Sequence, residues 1–255
     1  MGMPKVLLYD IETSPNIGAY FQLYREGNIV WTVEHWHVLS FSWKWLDEKT
    51  THVCALPDYK LYKKDPKNDL ELVKELWSLL DQADIIISHN GVAFDNKKTL
   101  SRFIYHSLPP PTPYLEMDTK LIAKKYFKFD SNKLDDLGDY LKLGRKLQHG
   151  GMELWKGCLE GDMKCWKLMK AYNVQDTILL EKIYLKMRPY IQQHPNIALF
   201  RGKVTACPNC GSIKMERRGY RLSRVSRFQR YQCTECGSWH SRPIPKDESF
   251  PKQMR

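Results

Sequence analysis

An apolar run at residues 6–8 leads directly into residues 9–13, where acidic and apolar residues alternate. This pattern predicts a β-strand, along which successive side chains point to opposite faces of the sheet. Asp10 and Glu12 then share one face, while Ile11 points into the core. Two neighbouring carboxylates at the end of a buried strand repel each other, and such an arrangement usually persists because a divalent cation binds between them.

The next segments continue this first strand into a sheet. Two stretches rich in aromatic and β-branched residues, 31–46 and 51–59, are separated by a turn-forming sequence at 47–49 and predict an antiparallel meander with the first strand. Leucines at helical spacing predict a helix over 68–82 with Asn68 as its N-cap. The almost entirely apolar run 84–88 predicts a strand buried on both faces. From this pattern alone, several α/β folds remain open.

A second acidic residue follows that buried strand. Asn90 and Gly91 allow the chain to turn, and Asp95 lies where a helix over 96–108 begins, so that its simplest interpretation is an N-cap. Prolines at 109–111 force an extended segment, after which 114–117 is predicted as a strand. Asp118 is interpreted as the cap of the next helix, with a place near a metal as the alternative.

The second half of the chain is predicted to be mainly helical, with helices over 133–143, 152–159 and 163–187. On the last of these, Tyr172 and Asp176 are four residues apart and so share one face. A core tyrosine near a surface aspartate is equally compatible with this spacing. The basic loop at 144–151 could contact a phosphate backbone or could be a plain surface connection.

Charge divides the chain into two parts. The formal net charge is +11, of which residues 1–200 contribute +2 (27 Lys and Arg against 25 Asp and Glu) and residues 201–255 contribute +9 (13 against 4). A compact basic segment without an amphipathic apolar face indicates a polyanionic partner, nucleic acid before membrane. A solvated basic tail that only aids solubility is the alternative. We therefore predict two domains, 1–195 and 196–255.

The seven cysteines follow the same division. Three are scattered among apolar residues and are typical of core thiols, whereas Cys207, Cys210, Cys233 and Cys236 form two C-x-x-C pairs, each followed by glycine. In a chain without a secretion signal, such pairs indicate a metal more often than disulfides. The 22 residues between the pairs suit a β-hairpin, which predicts a zinc ribbon with one structural Zn²⁺.

The predicted hairpin alternates arginines with aromatic residues. Guanidinium groups suit phosphates and aromatic rings suit bases, so the hairpin is interpreted as a nucleic-acid contact, with docking of a protein partner as the alternative. The candidate substrate-binding residues here are Arg217, Arg218, Tyr220, Arg221, Arg224, Arg227 and Arg230.

Three short motifs occur in order along the first domain, at 10–13 (DIET), 89–95 (HNGVAFD) and 172–176 (YNVQD). Together they resemble the motifs of DnaQ-like 3'–5' exonucleases of the DEDD group, in the tyrosine-bearing subgroup. The chain is similar to the exonuclease domains of family B DNA polymerases and to stand-alone YprB-like proteins. The resemblance covers residues 5 to about 190. It implies a ribonuclease H-like α/β fold, with a mixed five-stranded sheet flanked by helices.

The resemblance also implies a metal-dependent reaction. Phosphodiester hydrolysis needs an activated water and neutralised charge on the attacking and leaving oxygens, which two Mg²⁺ or Mn²⁺ ions about 4 Å apart supply. Hard cations of this kind prefer carboxylate oxygens. By resemblance, Asp10 bridges both ions, Glu12 and Asp176 complete the tighter site, and Asp95 supports the second.

Three further residues receive roles from the same resemblance. Tyr172 would orient the attacking water, because a phenol with a pKa of about 10 is a poor base unless cations lower that pKa. Asn90 and Phe94 would lie near the terminal nucleotide.

The favoured hypothesis is a 3'–5' exonuclease whose zinc ribbon helps to bind nucleic acid, DNA before RNA. A structure-specific endonuclease on the same fold and a non-catalytic nucleic-acid-binding adaptor are the alternatives. A replication or repair protein is a further predicted partner. The N-terminal residues 1–5 carry no signal-peptide pattern and no apolar run approaches the roughly 20 residues of a membrane span, so we expect a cytoplasmic protein.

Overall fold

The computed structural model describes residues 2–21, 29–46, 48–200, 202 and 204–244. The chain divides into two compact units, one formed by Lys5–Ile183 and the other by Tyr184–Arg255 together with Met1–Pro4. The predicted domain limits at 195 and 196, which rest on a change of net charge along the sequence, remain a prediction. Residue 47 of the predicted turn at 47–49 lies outside the described residues.

The larger unit is built from strands and helices that alternate after an N-terminal β-rich part. Its strands are β1 (Val6–Thr13), β2 (Ile17–Ala19), β3 (Trp31–Glu34), β4 (Val38–Trp45), β5 (His52–Ala55), β6 (Ile85–Ser88) and β7 (Leu115–Asp118). Its helices are α1 (Leu70–Gln82), α2 (Asp95–Tyr105), α3 (Thr119–Tyr126), α4 (Leu134–Tyr140), α5 (Met152–Leu159) and α6 (Met163–Met187), the last continuing past Ile183. Among the described residues, no helix is both long and apolar enough to span a bilayer.

Five of these strands form one mixed sheet in the order β5-β4-β1-β6-β7. Strand β4 is antiparallel to β1 and β5, whereas β6 runs parallel to both β1 and β7. All four residues of β6 are buried, as its apolar sequence predicts for an inner strand. The predicted mixed five-stranded sheet with flanking helices is therefore confirmed, and it makes β1 the central strand.

The segment 31–46, predicted as one stretch of the meander, is divided in two. Strand β3 pairs with β2 in a separate two-stranded sheet, and only β4 joins the main sheet. Between them the backbone leaves both ladders, because Trp36 N donates to Asn16 Oδ1 (2.9 Å) and His37 N donates to Ser14 Oγ (2.9 Å). Side chains that satisfy these amides explain why the strand pattern is broken there.

Two predicted helix caps are wrong. Helix α1 begins at Leu70 with Asp69 in the N-cap position, and Asn68 only accepts a hydrogen bond from Leu70 N (3.1 Å). Asp95 is the first residue of α2 and not its cap, because its Oδ1 accepts from Ile11 N (3.2 Å) on the central strand. Asp118, in contrast, is confirmed as the cap of α3, with Oδ1 accepting from the first-turn amides.

The smaller unit contains α7 (Ile197–Phe200) and a three-stranded antiparallel sheet of β8 (Met215–Leu222), β9 (Arg227–Cys233) and β10 (Trp239–Pro243). Hairpin β8–β9 is confirmed, and β10 adds a third strand. Gly211 (φ 71°) and Gly237 (φ 79°) adopt the left-handed conformation that the predicted turns after the cysteines need.

Candidate active site

The acidic site is organised by the central strand β1 and helix α6. Asp10 and Glu12 lie opposite Ser42 and Ser40 of β4, whose small side chains leave room for a helix to approach this face of the sheet. Asn173 of α6 enters this space, where its Oδ1 accepts from Ser40 Oγ (3.1 Å). The strand pattern therefore places the two carboxylates side by side, and α6 covers them.

Helix α6 supplies the third carboxylate. Ligand oxygens of Asp10, Glu12 and Asp176 all lie within 4.8 Å of one another. Asp176 is only 1 % exposed, whereas the other two side chains are half-buried. Asp176 lies more than 160 residues after Asp10 and Glu12 in the sequence, so the fold brings together a cluster that the first and third sequence motifs predict.

Asp95 approaches the same place from α2. It is buried, its Oδ1 is anchored to Ile11 N, and its charge acts on Asp10. It is not one of the residues whose ligand atoms share the 4.8 Å cluster. The structure thus brings three of the four predicted carboxylates into one cluster and sets the fourth beside it.

The pKa values of these carboxyl groups reflect their crowding. Burial raises the pKa of Asp10 well above its ordinary value, and the charges of Asp95, Glu12 and Asp176 raise it further. Burial and the charge of Asp176 raise the pKa of Glu12 to about 8, and burial raises that of Asp95 to about 7. Four ionised groups here are therefore unfavourable without a compensating cation.

The donor set fits a hard divalent ion. Its candidate ligands are carboxylate oxygens, and Asp176 Oδ1 is buried without a hydrogen-bond partner among the described residues. Buried polar atoms are rarely left unpaired, so an orphaned carboxylate oxygen inside a cluster of like charges is a feature that a bound cation explains.

Lys146 enters the cluster from the loop before α5. Its Nζ lies 2.6 Å from Asp176 Oδ2 and donates to Tyr172 Oη (2.7 Å). Burial lowers the pKa of Lys146, but the charge and hydrogen bond of Asp176 outweigh burial and leave that pKa raised. The sequence showed only a basic loop here, since nothing in the spacing of residues 144–151 indicates that one lysine turns inward.

Tyr172 is enclosed by aromatic rings beside the carboxylates. Its ring lies 4.6 Å from that of His149 and 6.1 Å from that of Trp155, both in edge-on arrangements. Burial and the charges of Asp176 and Glu12 raise the pKa of Tyr172 well above its ordinary value. The phenol therefore stays protonated near neutral pH.

Asn173 is a second residue whose role sequence reasoning missed. It is fully buried, and its Nδ2 donates to Asp10 Oδ2 (2.7 Å) while its backbone oxygen accepts from Ser42 Oγ (2.7 Å). It thereby fixes the orientation of the Asp10 carboxylate. One sequence signal could have indicated this role: Asn173 lies inside the motif at 172–176, on the same helix as Tyr172 and Asp176.

Two other residues of the second motif, Asn90 and Phe94, precede Asp95 between β6 and α2. Asn90 has a positive φ of 73°, and its Oδ1 accepts from Lys120 Nζ (3.1 Å). Phe94 is 38 % exposed and adjoins Asp95. Asp118 binds backbone amides, including Asn90 N (3.0 Å), and is not part of the carboxylate cluster. Its cap role is therefore sufficient to explain it.

The smaller unit holds a second candidate metal site, in which the sulfur atoms of Cys207, Cys210, Cys233 and Cys236 lie within 4.8 Å of one another. The Cys207–Cys236 and Cys210–Cys233 sulfur distances are both 3.6 Å. Four sulfurs at about 2.3 Å from a tetrahedral Zn²⁺ would be about 3.8 Å apart, so the cluster fits zinc closely. His240 Nε2 lies 3.5 Å from Cys207 Sγ, a neighbour that the sequence did not indicate.

Three of the predicted nucleic-acid-binding residues of the hairpin line one cavity. This cavity, of about 240 Å³, is lined by Arg217, Tyr220, Arg227 and Tyr231 together with Arg242 of β10. The other predicted residues do not line it: Arg218 pairs with Glu216 (2.7 Å), Arg221 stacks on Phe228 (4.4 Å from the ring centre), and Arg224 and Arg230 are exposed.

Comparison with known proteins identifies a family for the larger unit. A model of the RNase H superfamily matches residues 25–188. Asp95, Tyr172 and Asp176 lie within the matched span, whereas Asp10 and Glu12 precede it. No curated protein matches the chain.

Proposed function

Because the chain belongs to the RNase H superfamily, we propose that it is a metal-dependent 3'–5' exonuclease that hydrolyses phosphodiester bonds of DNA. Nuclease activity with divalent metals fits this superfamily, and the exonuclease assignment is ours. The observation that carries it is the clustering of Asp10, Glu12 and Asp176 within 4.8 Å, with Asp95 beside them and Tyr172 one helical turn before Asp176.

Each residue of the cluster has a definable role. Asp10, Glu12 and Asp176, with support from Asp95, would hold two Mg²⁺ or Mn²⁺ ions, which when bound supply an activated water and offset charge on the reacting oxygens. Asn173 holds the Asp10 carboxylate through its Nδ2. This support restricts the rotation of a carboxylate that must face its ligand, as the partners of metal-binding side chains commonly do.

Tyr172 is suited to positioning a water molecule. Without bound cations its raised pKa keeps the phenol protonated, so that it can donate a hydrogen bond. The carboxylates of Asp176 and Glu12 lie close enough to raise the pKa of Tyr172. This supports the orienting role over a role as general base.

The four-cysteine unit would contribute binding rather than chemistry. In its cavity, the Arg227 guanidinium lies 3.5 Å from the centre of the Tyr220 ring and that of Arg242 lies 5.1 Å from the Tyr231 ring. Each arginine therefore lies over one face of a tyrosine ring. Guanidinium groups held in this way suit phosphate oxygens, which supports a sequence-independent grip on the backbone.

The central test is hydrolysis of a 3'-labelled DNA strand by the wild type and by Asp10→Ala. We expect the variant to lose activity by 100-fold or more, because removing a metal ligand forfeits several kcal/mol of charge stabilisation. Binding of the same strand should survive. Matched RNA and a covalently closed circular DNA are the comparison substrates.

Three results would contradict this proposal. Undiminished hydrolysis by Asp10→Ala would remove the carboxylates from the reaction. Cleavage of the closed circle at a rate similar to that of the linear strand would favour the endonuclease, since a circle offers no end. Binding without Mg²⁺-dependent hydrolysis would favour the adaptor.

Nucleic-acid binding by the smaller unit is tested separately. In the full chain, Arg217, Arg227 and Arg242 are all changed to Gln. Each lost phosphate contact should reduce the slope of log affinity against log salt by about 0.7 for a single strand, or about 2 for all three. The matched control changes Arg218, Arg221 and Arg224, which lie outside the cavity. Equal losses in both triple variants would show that the cavity is not the contact.

A further inference from the structure

A cavity of about 780 Å³ in the Lys5–Ile183 unit is lined by none of the carboxylates of the cluster. It is lined by the loop before β4, the residues before α1 and the C-terminal half of α2, including Trp36, His37, Lys67, Arg102, Tyr105 and His106. We propose that this cavity binds an upstream nucleotide of the strand whose 3' end lies at the carboxylates. This inference rests on the proposed function.

The floor of the cavity is a fixed polar network. Asp69, which is fully buried, accepts from Arg102 Nη2 (2.5 Å) and lies 2.6 Å from His106 Nε2. It also accepts from Val38 N (2.8 Å), so three elements hold it in place. The network fixes the Arg102 guanidinium at the cavity instead of leaving it free to move, which lowers the entropy cost of binding a ligand there.

Two nitrogens of the lining lack acceptors. His37 and Arg102 are 5 % and 8 % exposed, and neither His37 Nε2 nor Arg102 Nε has a hydrogen-bond partner among the described residues. In the tautomer in which Ser14 Oγ donates to His37 Nδ1 (3.1 Å), a hydrogen lies on Nε2. Both nitrogens are then buried donors without an acceptor in the described part of the chain, carried by side chains that line the cavity.

Aromatic rings complete the chemistry of a nucleotide site. Tyr105 is 70 % exposed, and the Arg102 guanidinium lies 4.0 Å from its ring centre. One side of the ring is thus supported by a cation while the ring remains open to solvent. Trp36 lies at the same cavity, 5.8 Å from Arg102. Exposed rings beside arginine are typical platforms for stacked bases.

Lys98 connects this cavity to the carboxylate site. Its Nζ lies 3.9 Å from the Trp36 ring centre and donates to Thr13 Oγ1 (3.3 Å), next to Glu12. No carboxylate among the described residues lies in ion-pair range of Lys98, so its charge is available to a phosphate. The residue stands between the cavity and the carboxylates, where a backbone that joins the two would pass.

The spacing along α2 fits a short stretch of strand. Asp95, Lys98, Arg102 and Tyr105 lie on one helix at intervals of three and four residues. From Asp95 to Arg102 the helix rises about 10 Å, equal to about three stacked bases at 3.4 Å each. The cavity would therefore hold a nucleotide within about three positions of the 3' end.

A purely structural role explains only part of this arrangement. The Asp69 network joins α1, α2 and β4, and it would do so whether or not a ligand binds. It does not account for an exposed Tyr105 stacked on arginine, nor for Lys98 without an acidic partner. These two residues are therefore the ones to test, because neither holds the core together.

The experiment measures binding of 5'-labelled oligodeoxynucleotides of two, four and eight residues by full-length protein carrying Asp10→Asn, which prevents digestion. Tyr105→Ala and Lys98→Gln are each added to this background. We expect Tyr105→Ala to weaken binding of the four- and eight-residue strands by about 5-fold or more, as for loss of one stacked base, and to spare the dinucleotide. Lys98→Gln should reduce the salt slope by about 0.7.

Tyr140→Ala, which removes a tyrosine of similar exposure (64 %) from α4, is the matched control, and Tyr105→Phe should bind like the parent. Unchanged affinity of Tyr105→Ala for every strand would overturn the inference. So would a mononucleotide that binds as tightly as the four-residue strand and depends equally on Tyr105, since that would identify a free-nucleotide site. This test measures binding and does not need hydrolysis by the wild type. A failure of the further inference can therefore be distinguished from a failure of the proposed function.

Discussion

The two candidate metal sites gather their ligands in opposite ways. Four cysteine sulfurs meet in the smaller unit, with two pairs at 3.6 Å, and the tight turns at Gly211 and Gly237 follow the two pairs. Three carboxylates meet in the larger unit, two from a strand and one from a helix residue more than 160 positions further along the chain. The first cluster is local and closed, and the second depends on the whole fold.

The surroundings differ as much as the ligands. The cysteine cluster belongs to a small unit with few buried apolar side chains, so that its metal would supply much of the folding energy. The carboxylate cluster lies on a large core, and its unit already contains a cation, Lys146, where the acids meet. The ion at the cysteine cluster would therefore hold its unit together, whereas the ions at the carboxylate cluster would be acquired for the reaction.

Loss of the proposed zinc from the four-cysteine cluster should have the largest effect. We expect Cys207→Ser, or chelation, to unfold the smaller unit, because structural zinc in such small domains supplies about 10 kcal/mol or more. Hydrogen exchange would show loss of protection in β8–β10 while the five-stranded sheet stays protected. Cys165→Ser, a cysteine outside the cluster, is the matched control. Retained protection in β9 after zinc loss would remove the proposed difference between the two sites.

Charge repulsion in the carboxylate cluster gives a smaller effect with a defined pH dependence. The folded-state pKa values are raised, to about 8 for Glu12 and about 7 for Asp95, so the folded state binds more protons than the unfolded state. Without metal, the contribution of these groups to stability is therefore most favourable below about pH 4 and is lost as the pH rises through 7 to 8. Asp10→Asn should relieve this loss and should raise the melting temperature at pH 8 by about 2–4 °C per kcal/mol recovered.

Asn at position 10 keeps an oxygen for the hydrogen bond from Asn173 Nδ2. The wild type and Asp10→Asn therefore differ mainly in the negative charge at position 10. At pH 5 the two proteins should melt at similar temperatures. Mn²⁺ should reverse their order at pH 8, since the wild type gains an ion. Asp139→Asn, which removes an exposed carboxylate, should show no such trend. A wild type that is the more stable protein at pH 8 without metal would contradict the repulsion.

Local sequence patterns predicted much of the fold. The alternation at 9–13, the apolar run of β6 and the paired C-x-x-C motifs each determine their structure through neighbouring residues, and each appears where expected. The split of segment 31–46 was not predictable in this way. Side chains of Asn16 and Ser14 satisfy the amides there, and that contact forms only after the chain has turned back.

The candidate site shows the same limit. Asp10, Glu12 and Asp176 lie in recognisable motifs, but Lys146 and Asn173 act through contacts that no spacing encodes. The phosphate-binding interpretation of the loop at 144–151 treated its lysine as a surface charge. Whether a loop residue turns inward depends on tertiary packing, which a single sequence does not reveal.

The smallest expected effect concerns Lys146, the feature that most separates the two sites. Its ammonium group occupies a bonding position on Asp176 that a metal ion would also use. We expect Lys146→Met to bind Mn²⁺ about 10-fold more tightly in calorimetric titrations without substrate, equal to about 1.4 kcal/mol, because the ion no longer displaces a charged partner. Arg145→Met, which removes the neighbouring cation that pairs with Asp135 (3.0 Å), should leave Mn²⁺ affinity within about 2-fold of the wild type. Weaker Mn²⁺ binding in Lys146→Met would mean that the lysine supports the ion site instead of competing with it.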